Sequence, residues 1–361
     1  MVVFPDHGPV TTQEAGKPSK GKADVLEEDG SILLVVMWWL VILSIMALAL
    51  FAAVRPRLML AGRLSENAEL HYLGRAALAA AMTAVAADET SGFDALNDNW
   101  AASVEAFRDI EVGEKKVSVG YLQAGEASFG GATPGPELRY GLTDEESRIN
   151  INRASADVLQ RLFELAADLS SLEAAPLAAA VIDWRDADDQ PGENGAENSY
   201  YHGLSPAYSC GNRRFQVSEE LLLVKGMTAA AYAGVEPYIT LWGAGAVNLN
   251  TATPMVLQCI GLDAGLAAAL WSYRAGPDGR SGTGDDRAFE TTRAVKEAVE
   301  RQGLWGGDAG ALQEALNSHR ITVRSDNFRA HILRELDNRA PAVHITIVFS
   351  RNGVVRLWRE R

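Results

Sequence analysis

The sequence predicts an α+β fold: a long N-terminal helix packed on an antiparallel sheet, with a large α-helical insertion. Three observations point there. An uncharged apolar run from Ser31 to Val54 leads straight into strong helix formers. Two regions of period-two alternation lie within 101–152 and at the C-terminus, and a helix-rich block with a near-repeat of its own separates them.

Length and charge frame these elements. The chain has 361 residues, too many for one small core, and the roughly 300 beyond the apolar run correspond to about two domains. Its formal charge of −14 repels phosphate, leaves no basic stripe for nucleic acid or anionic lipid, and argues against acidic partners. The two cysteines, Cys210 and Cys259, permit one disulfide in an oxidising compartment and are equally compatible with two buried free thiols.

Residues 1–30 are polar, poor in aromatics and rich in Gly, Pro and Lys, so they read as a disordered leader and not as an ordinary secretory signal. A processing site would fall at Gly30. From Ser31 the apolar run spans roughly 36 Å as a helix, enough for a bilayer core of about 30 Å. Helix formers then continue to about Ala87 with apolar residues three and four apart. Residues 31–100 are therefore expected to form a transmembrane helix that continues as an amphipathic rod, kinked at Pro56.

Residues 101–152 change character: EKKVSVGYLQ and ELRYGL alternate, and Gly130, Gly131, Pro134, Gly135 and Pro136 punctuate them. Residues 319–361 alternate again, with Asn352-Gly353 as a hairpin signal. The two regions are expected to share one sheet on the N-terminal rod.

Residues 153–318 form the helical insertion. The near-repeat straddles its start: ININRASADVL from Ile149 and VNLNTATPMVL from Val247 each place an Asn-x-Asn turn before a capping residue, Ser155 or Thr253. The second copy adds Pro254 at the favoured first helical position. In FQVSEELLLVKGMTAAAY, Ser218 is expected to cap one short helix, Gly226 to end it, and Thr228 to cap the next. The pattern is that of helix-hairpin-helix (SAM-like) architecture.

The densest chemistry lies in DWRDADDQPGENGAENSYY. Asp183, Asp186, Asp188, Asp189, Glu193 and Glu197 crowd one loop and would repel each other unless a hard cation neutralised them. Calcium takes six to eight oxygens in flexible geometry, which these carboxylates, the amides of Asn194 or Asn198 and main-chain carbonyls can supply. The candidate ligands are Asp183, Asp186, Asp188, Glu193, Glu197 and Asn198. The glycine-rich stretch from Gly276 to Asp286 offers a second candidate site at Asp278, Asp285 and Asp286. Enzymatic signals are thin. The six histidines, His7, His71, His202, His319, His331 and His344, show no metal-ligand spacing, and no phosphate loop or nucleophile elbow occurs. The chain reads as non-enzymatic.

Helix-hairpin-helix units also bind nucleic-acid phosphate, so a membrane-anchored, DNA-uptake-like protein is the competing reading. Glu164 and Asp168 near the first turn, and Asp263 between Gly261 and Gly265 in the second, put acid where phosphate would sit. That favours protein packing and no nucleic acid.

Five stretches in order carry a resemblance: SILLVVMWWLVILSIMALAL after Gly30, DEESRININRAS, AAVIDWRDADDQPGENGAENSYY, FQVSEELLLVKGMT and VEPYITLWGAGAVNLNTATPMVL. The chain resembles the K-type minor pseudopilins of type II secretion systems. The resemblance implies a pilin-like fold interrupted by the helical insertion, with calcium in the acidic loop. It implies a single pass through the inner membrane, with the bulk of the chain in the periplasm and finally at the pseudopilus tip. There it would initiate or cap assembly for export of folded proteins across the outer membrane. The implied partners are the I- and J-type minor pseudopilins, the inner-membrane assembly platform, secreted substrates, and a prepilin peptidase that cuts after Gly30 and methylates Ser31. Most pilins carry Glu at the fifth mature position; here it is Val35, which removes one tie to a subunit above. Glu27, Glu28 and Asp29 stand where such leaders carry basic residues.

Overall fold

A computed structural model describes residues 23–90, 92–123, 137–302, 309–334 and 342–360. The leader before Ala23 and the Gly130–Pro136 punctuation lie outside the described residues. The chain divides into two compact units, Met1–Glu69 and Leu70–Arg361.

The first unit consists of the N-terminal part of α1, which runs from Ala23 to Ala86. Pro56 lies inside this helix without ending it. From Ile32 to Leu64 its large apolar side chains are exposed. Its most apolar window has a mean hydropathy of 2.8, and the helix is long and apolar enough to cross a membrane. An exposed surface of this kind is unfavourable in water and compatible with lipid.

The second unit opens with the amphipathic end of the same helix. Leu73, Ala77, Leu78, Ala81 and Val85 recur at helical spacing and are buried. The helix stops at Ala86, short of the 31–100 span expected from sequence. After α2 (Val104–Phe107) come β1 (Ile110–Val112), β2 (Lys115–Gln123), β3 (Glu137–Tyr140) and β4 (Thr143–Asp144). The C-terminal region supplies β9 (Asn327–Arg334), β10 (Ala342–Ser350) and β11 (Val355–Glu360). All seven belong to one antiparallel sheet ordered β1-β2-β9-β10-β11, with β3 on β2 and β4 on β9. Val119 opposite Ile332 in the β2–β9 pair joins the two sequence-distant regions, as expected. The sheet's inner face, including Val119, Phe328, Ala330, Ile345 and Ile347, packs in one core with the buried stripe of α1. Gly353 turns β10 into β11 with φ +82°, a conformation glycine adopts without strain.

Between β4 and β9 lies the insertion: β5 (Ile149–Asn150), α3 (Ala156–Ala166), α4 (Ser171–Arg185), α5 (Asn198–Tyr201), α6 (Ala229–Val235), β6 (Ile239–Thr240), β7 (Val247–Asn248), α7 (Pro254–Cys259), α8 (Ala264–Arg274), α9 (Thr292–Gln302), α10 (Ala309–Asn317) and β8 (Ile321–Thr322). It has its own core, built around Leu159, Phe163, Val181, Leu257, Leu270 and Phe289. Cys210 and Cys259 are both buried and free.

The near-repeat is a repeat of structure. In the first half, β5 pairs in parallel with β6; in the second, β7 pairs in parallel with β8. Asn152 clamps the backbone of Phe215, accepting from its N–H at 2.8 Å and donating to its carbonyl at 3.1 Å. Asn250 does the same to Phe289, at 2.8 and 3.0 Å. Arg185, closing α4, donates to the carbonyls of Ile151 and Ala154, and Arg274, closing α8, donates to those of Leu249 and Ala252. Each half therefore folds its helix pair back onto its own Asn-x-Asn turn. The turn within each pair needs a left-handed residue: Gly261 supplies it in the second with φ +108°, and Asp168 fills it in the first with φ +53°.

The caps are only partly as expected. Thr253 and Thr228 accept from the N–H groups of Val256 and Ala231. Ser155 sits at the cap position, but its hydroxyl turns to Asp157. Val217, not Ser218, precedes the 218–223 turn, and Glu220 reaches back to its N–H.

Candidate metal centre

The C-terminal end of α4 delivers Asp183 and Asp186 to one point, and the following loop returns Glu197 to meet them. Oxygens of these three carboxylates lie within 4.8 Å of one another. Asp183 is 3% exposed and accepts from the Gly192 N–H at 3.1 Å and the Ala196 N–H at 2.7 Å. The chain passes so close over it that a Cβ on Gly195 would stand 1.9 Å from Asp183 Oδ2, so glycine is required there. Lys225 holds the outside of the loop, donating to the Gly195 carbonyl at 3.0 Å. Beneath it Trp184 meets Tyr201 edge-on, with ring centroids 5.1 Å apart.

Glu197 is 1% exposed, and among the described residues neither of its carboxylate oxygens has a hydrogen-bond partner; Asp186 Oδ1 is likewise buried and unpartnered there. Buried polar oxygens are nearly always satisfied, so this pattern calls for a counter-group. Burial raises the pKa of all three carboxyls. The neighbouring charge of Asp188 adds to the rise at Asp183 and Asp186, and the charges of Asp186 and Asp183 add to it at Glu197. A bound cation would reverse that balance by favouring the ionised forms. Oxygen donors alone suit a hard cation such as calcium. The nearby Cys210 thiol, pushed up to about 12 by burial, is no soft ligand at neutral pH.

The other expected ligands are not brought into this cluster. Asp188 is exposed and accepts from the Gln190 N–H in a local turn, and Glu193 is exposed. The Asn198 side-chain oxygen accepts from the Cys210 N–H at 2.9 Å. The second candidate site is a self-satisfied turn. Asp285 accepts from the Asp278 N–H and the Thr283 hydroxyl, Asp286 from the Gly282 N–H, and Asp278 from the Arg280 N–H. Among the described residues its carboxylates form no close triad. Gly30 and Ser31 fall inside α1, and Val35 is exposed on it.

Two other acidic clusters went unread in the sequence. Asp88, Asp94 and Asp98 converge, but Arg351 pairs with Asp88 and Asp94 and supplies their counter-charge. The DEE of the DEESRININ stretch is buried where sheet and insertion join. Asp144 accepts from Ser325, Thr251 and Asn248, Glu145 pairs with Arg329, and Glu146 accepts from Asn327. The readable signal was its adjacency to the first Asn-x-Asn turn.

Residues 140–244, which contain this triad and the whole acidic loop, match the family model described as "Type II secretion system (T2SS), protein K". Proteins named type II secretion system protein K align with it at 28% identity in Aeromonas hydrophila, 36% in Klebsiella pneumoniae and 31% in Pseudomonas aeruginosa. Over these stretches the chain is similar to type II secretion system protein K. Those alignments cover 53%, 33% and 46% of the chain and 56%, 40% and 55% of the relatives. The chain thus spans about half the length of the curated relatives it matches. In three dimensions it resembles a chain of the GspK-GspI-GspJ complex from the enterotoxigenic Escherichia coli type 2 secretion system. The TM-score is 0.59 at 16% identity, over 83% of this chain and 98% of the other. At that identity the likeness speaks for the fold alone: a long N-terminal helix, an antiparallel sheet and inserted helices.

Proposed function

We propose that this protein is a non-enzymatic minor pseudopilin. Anchored by α1 in the inner membrane with its bulk in the periplasm, it is cut after Gly30, methylated at Ser31 and placed at the pseudopilus tip. The observation that carries the reading is the family match over residues 140–244 on a chain whose long helix is bare and apolar in its N-terminal half. Its partners are I- and J-type minor pseudopilins, the assembly platform and the prepilin peptidase. The solved relative, crystallised with GspI and GspJ, supports the first two. Val35 leaves no carboxylate at the fifth mature position, so no buried charge seeks a neighbour's ammonium above it, and the bulk of the insertion hinders stacking there.

Asp183, Asp186 and Glu197 hold calcium, with water or main-chain oxygens completing the shell. The ion supplies positive charge that ties the end of α4 to the returning loop and so stiffens the insertion. Nucleic-acid binding is disfavoured because the α8 N-terminus, the site a phosphate would take, is filled by Asp263, which accepts from the Leu266 N–H at 3.0 Å.

Mass spectrometry of the protein from cells carrying the prepilin peptidase tests the reading. A mature chain beginning at N-methylated Ser31 is expected; an intact N-terminus despite active peptidase refutes it.

A further inference from the structure

A concave surface of about 680 Å³ opens where the insertion meets the sheet, away from the carboxylate triad. Arg214, Arg324, Arg351 and Arg356 line it, with Asp326 as its lone carboxylate among the described residues. They arrive from separate segments: beyond the acidic loop, after β8, in the β10–β11 turn and on β11. Arg351 is committed to Asp88 and Asp94. Arg214, Arg324 and Arg356 are exposed and have no side-chain partner among the described residues. Their neighbours behave otherwise, since Arg148 and Arg329 pair with Glu145, Arg213 with Glu220, and Arg359 with Glu219. In a chain of charge −14 with carboxylates to spare, three unpaired guanidiniums line one concave surface. Net charge is a global quantity, and a cleft of one sign focuses a local field of its own.

Beside the pocket lies a backbone edge. Among the described residues β11 pairs within the sheet only with β10, and Val355 at its start and Val354 just before it are exposed. A free strand edge offers main-chain donors and acceptors to an extended segment, and guanidiniums recognise carboxylates through paired N–H donors. We propose that this pocket and the start of β11 dock an acidic, extended peptide segment of a partner protein, its carboxylates on Arg214, Arg324 and Arg356. A lone inorganic anion would leave most of the volume unfilled and would not use the edge. This inference holds whether or not the chain works at a pseudopilus tip.

The test uses the full chain in detergent micelles and fluorescence anisotropy with a labelled ten-residue polyglutamate peptide. Salt-sensitive binding is expected, absent with polyglutamine. The triple variant R214Q/R324Q/R356Q should weaken it at least about tenfold while keeping the wild-type circular dichroism. A control with R293Q/R301Q on α9, which removes positive charge elsewhere, should bind as wild type. Equal binding by the triple variant, equal loss in the control, or displacement by sulfate beyond that by chloride at matched ionic strength would each overturn the proposal.

Discussion

The two halves of the insertion share a framework and differ in what hangs from it. Both clamp a phenylalanine backbone with the second Asn of Asn-x-Asn, and both close a helix pair with an arginine fork on that turn. In the first half the end of α4 and the loop that follows bring Asp183, Asp186 and Glu197 together, where Glu197 finds no hydrogen-bond partner among the described residues. In the second the loop satisfies its own carboxylates with N–H groups and the Thr283 hydroxyl. Counting acids therefore does not distinguish the two loops; burial without partners does.

The halves are also tied down differently. The first Asn of the first turn, Asn150, donates to the carbonyls of Trp242 and Gly243. Its counterpart Asn248 donates to the Asp94 carbonyl, Asp144 and Ser325, the buried network at the base of the sheet. The first Asn of the second half is thus anchored in the network at the base of the sheet, and that of the first half within its own half.

The largest expected effect tests the shared framework. Arg274 is 4% exposed, and Arg274→Ala strands the buried carbonyls of Leu249 and Ala252, a loss on the order of 3 kcal/mol in urea denaturation. Arg185 is less buried, so Arg185→Ala should cost clearly less; equal costs would break the ranking. A middle-sized effect belongs to the anchoring network. Burial, with Asp144 beside it, raises Glu146 to about 9. A raised carboxyl stabilises the fold fully below its unfolded pKa near 4.5, and that contribution is lost as pH rises through about 9. The melting temperature should fall over that window, and Glu146→Gln should flatten the profile; an unchanged slope in the variant would assign the pH dependence elsewhere. The smallest effect contrasts the caps. Thr253→Ala should cost about 1 kcal/mol, whereas Ser155→Ala should cost less because Ser155 makes no cap bond. Equal values in a denaturation series would erase that difference between the copies.

Much of this was legible in the sequence because it depends on local periodicity. The apolar run, the alternation that pairs Val119 with Ile332, the NG turn and the two Asn-x-Asn starts are patterns of neighbouring residues. The site was half legible. That Asp183 to Asn198 gathers carboxylates is plain, but which of them converge is decided by where α4 ends and how the chain crosses Gly195. Asn198 looked like a ligand and serves the Cys210 N–H instead. The Arg351 pairs with Asp88 and Asp94 span more than 250 residues, a separation no local signal reports.

Isothermal titration of calcium into the full chain in detergent tests the contrast between the loops most directly. The account predicts one binding event that Glu197→Gln abolishes and Asp285→Asn leaves intact. No calcium-dependent heat, or binding that survives Glu197→Gln and vanishes with Asp285→Asn, would contradict it.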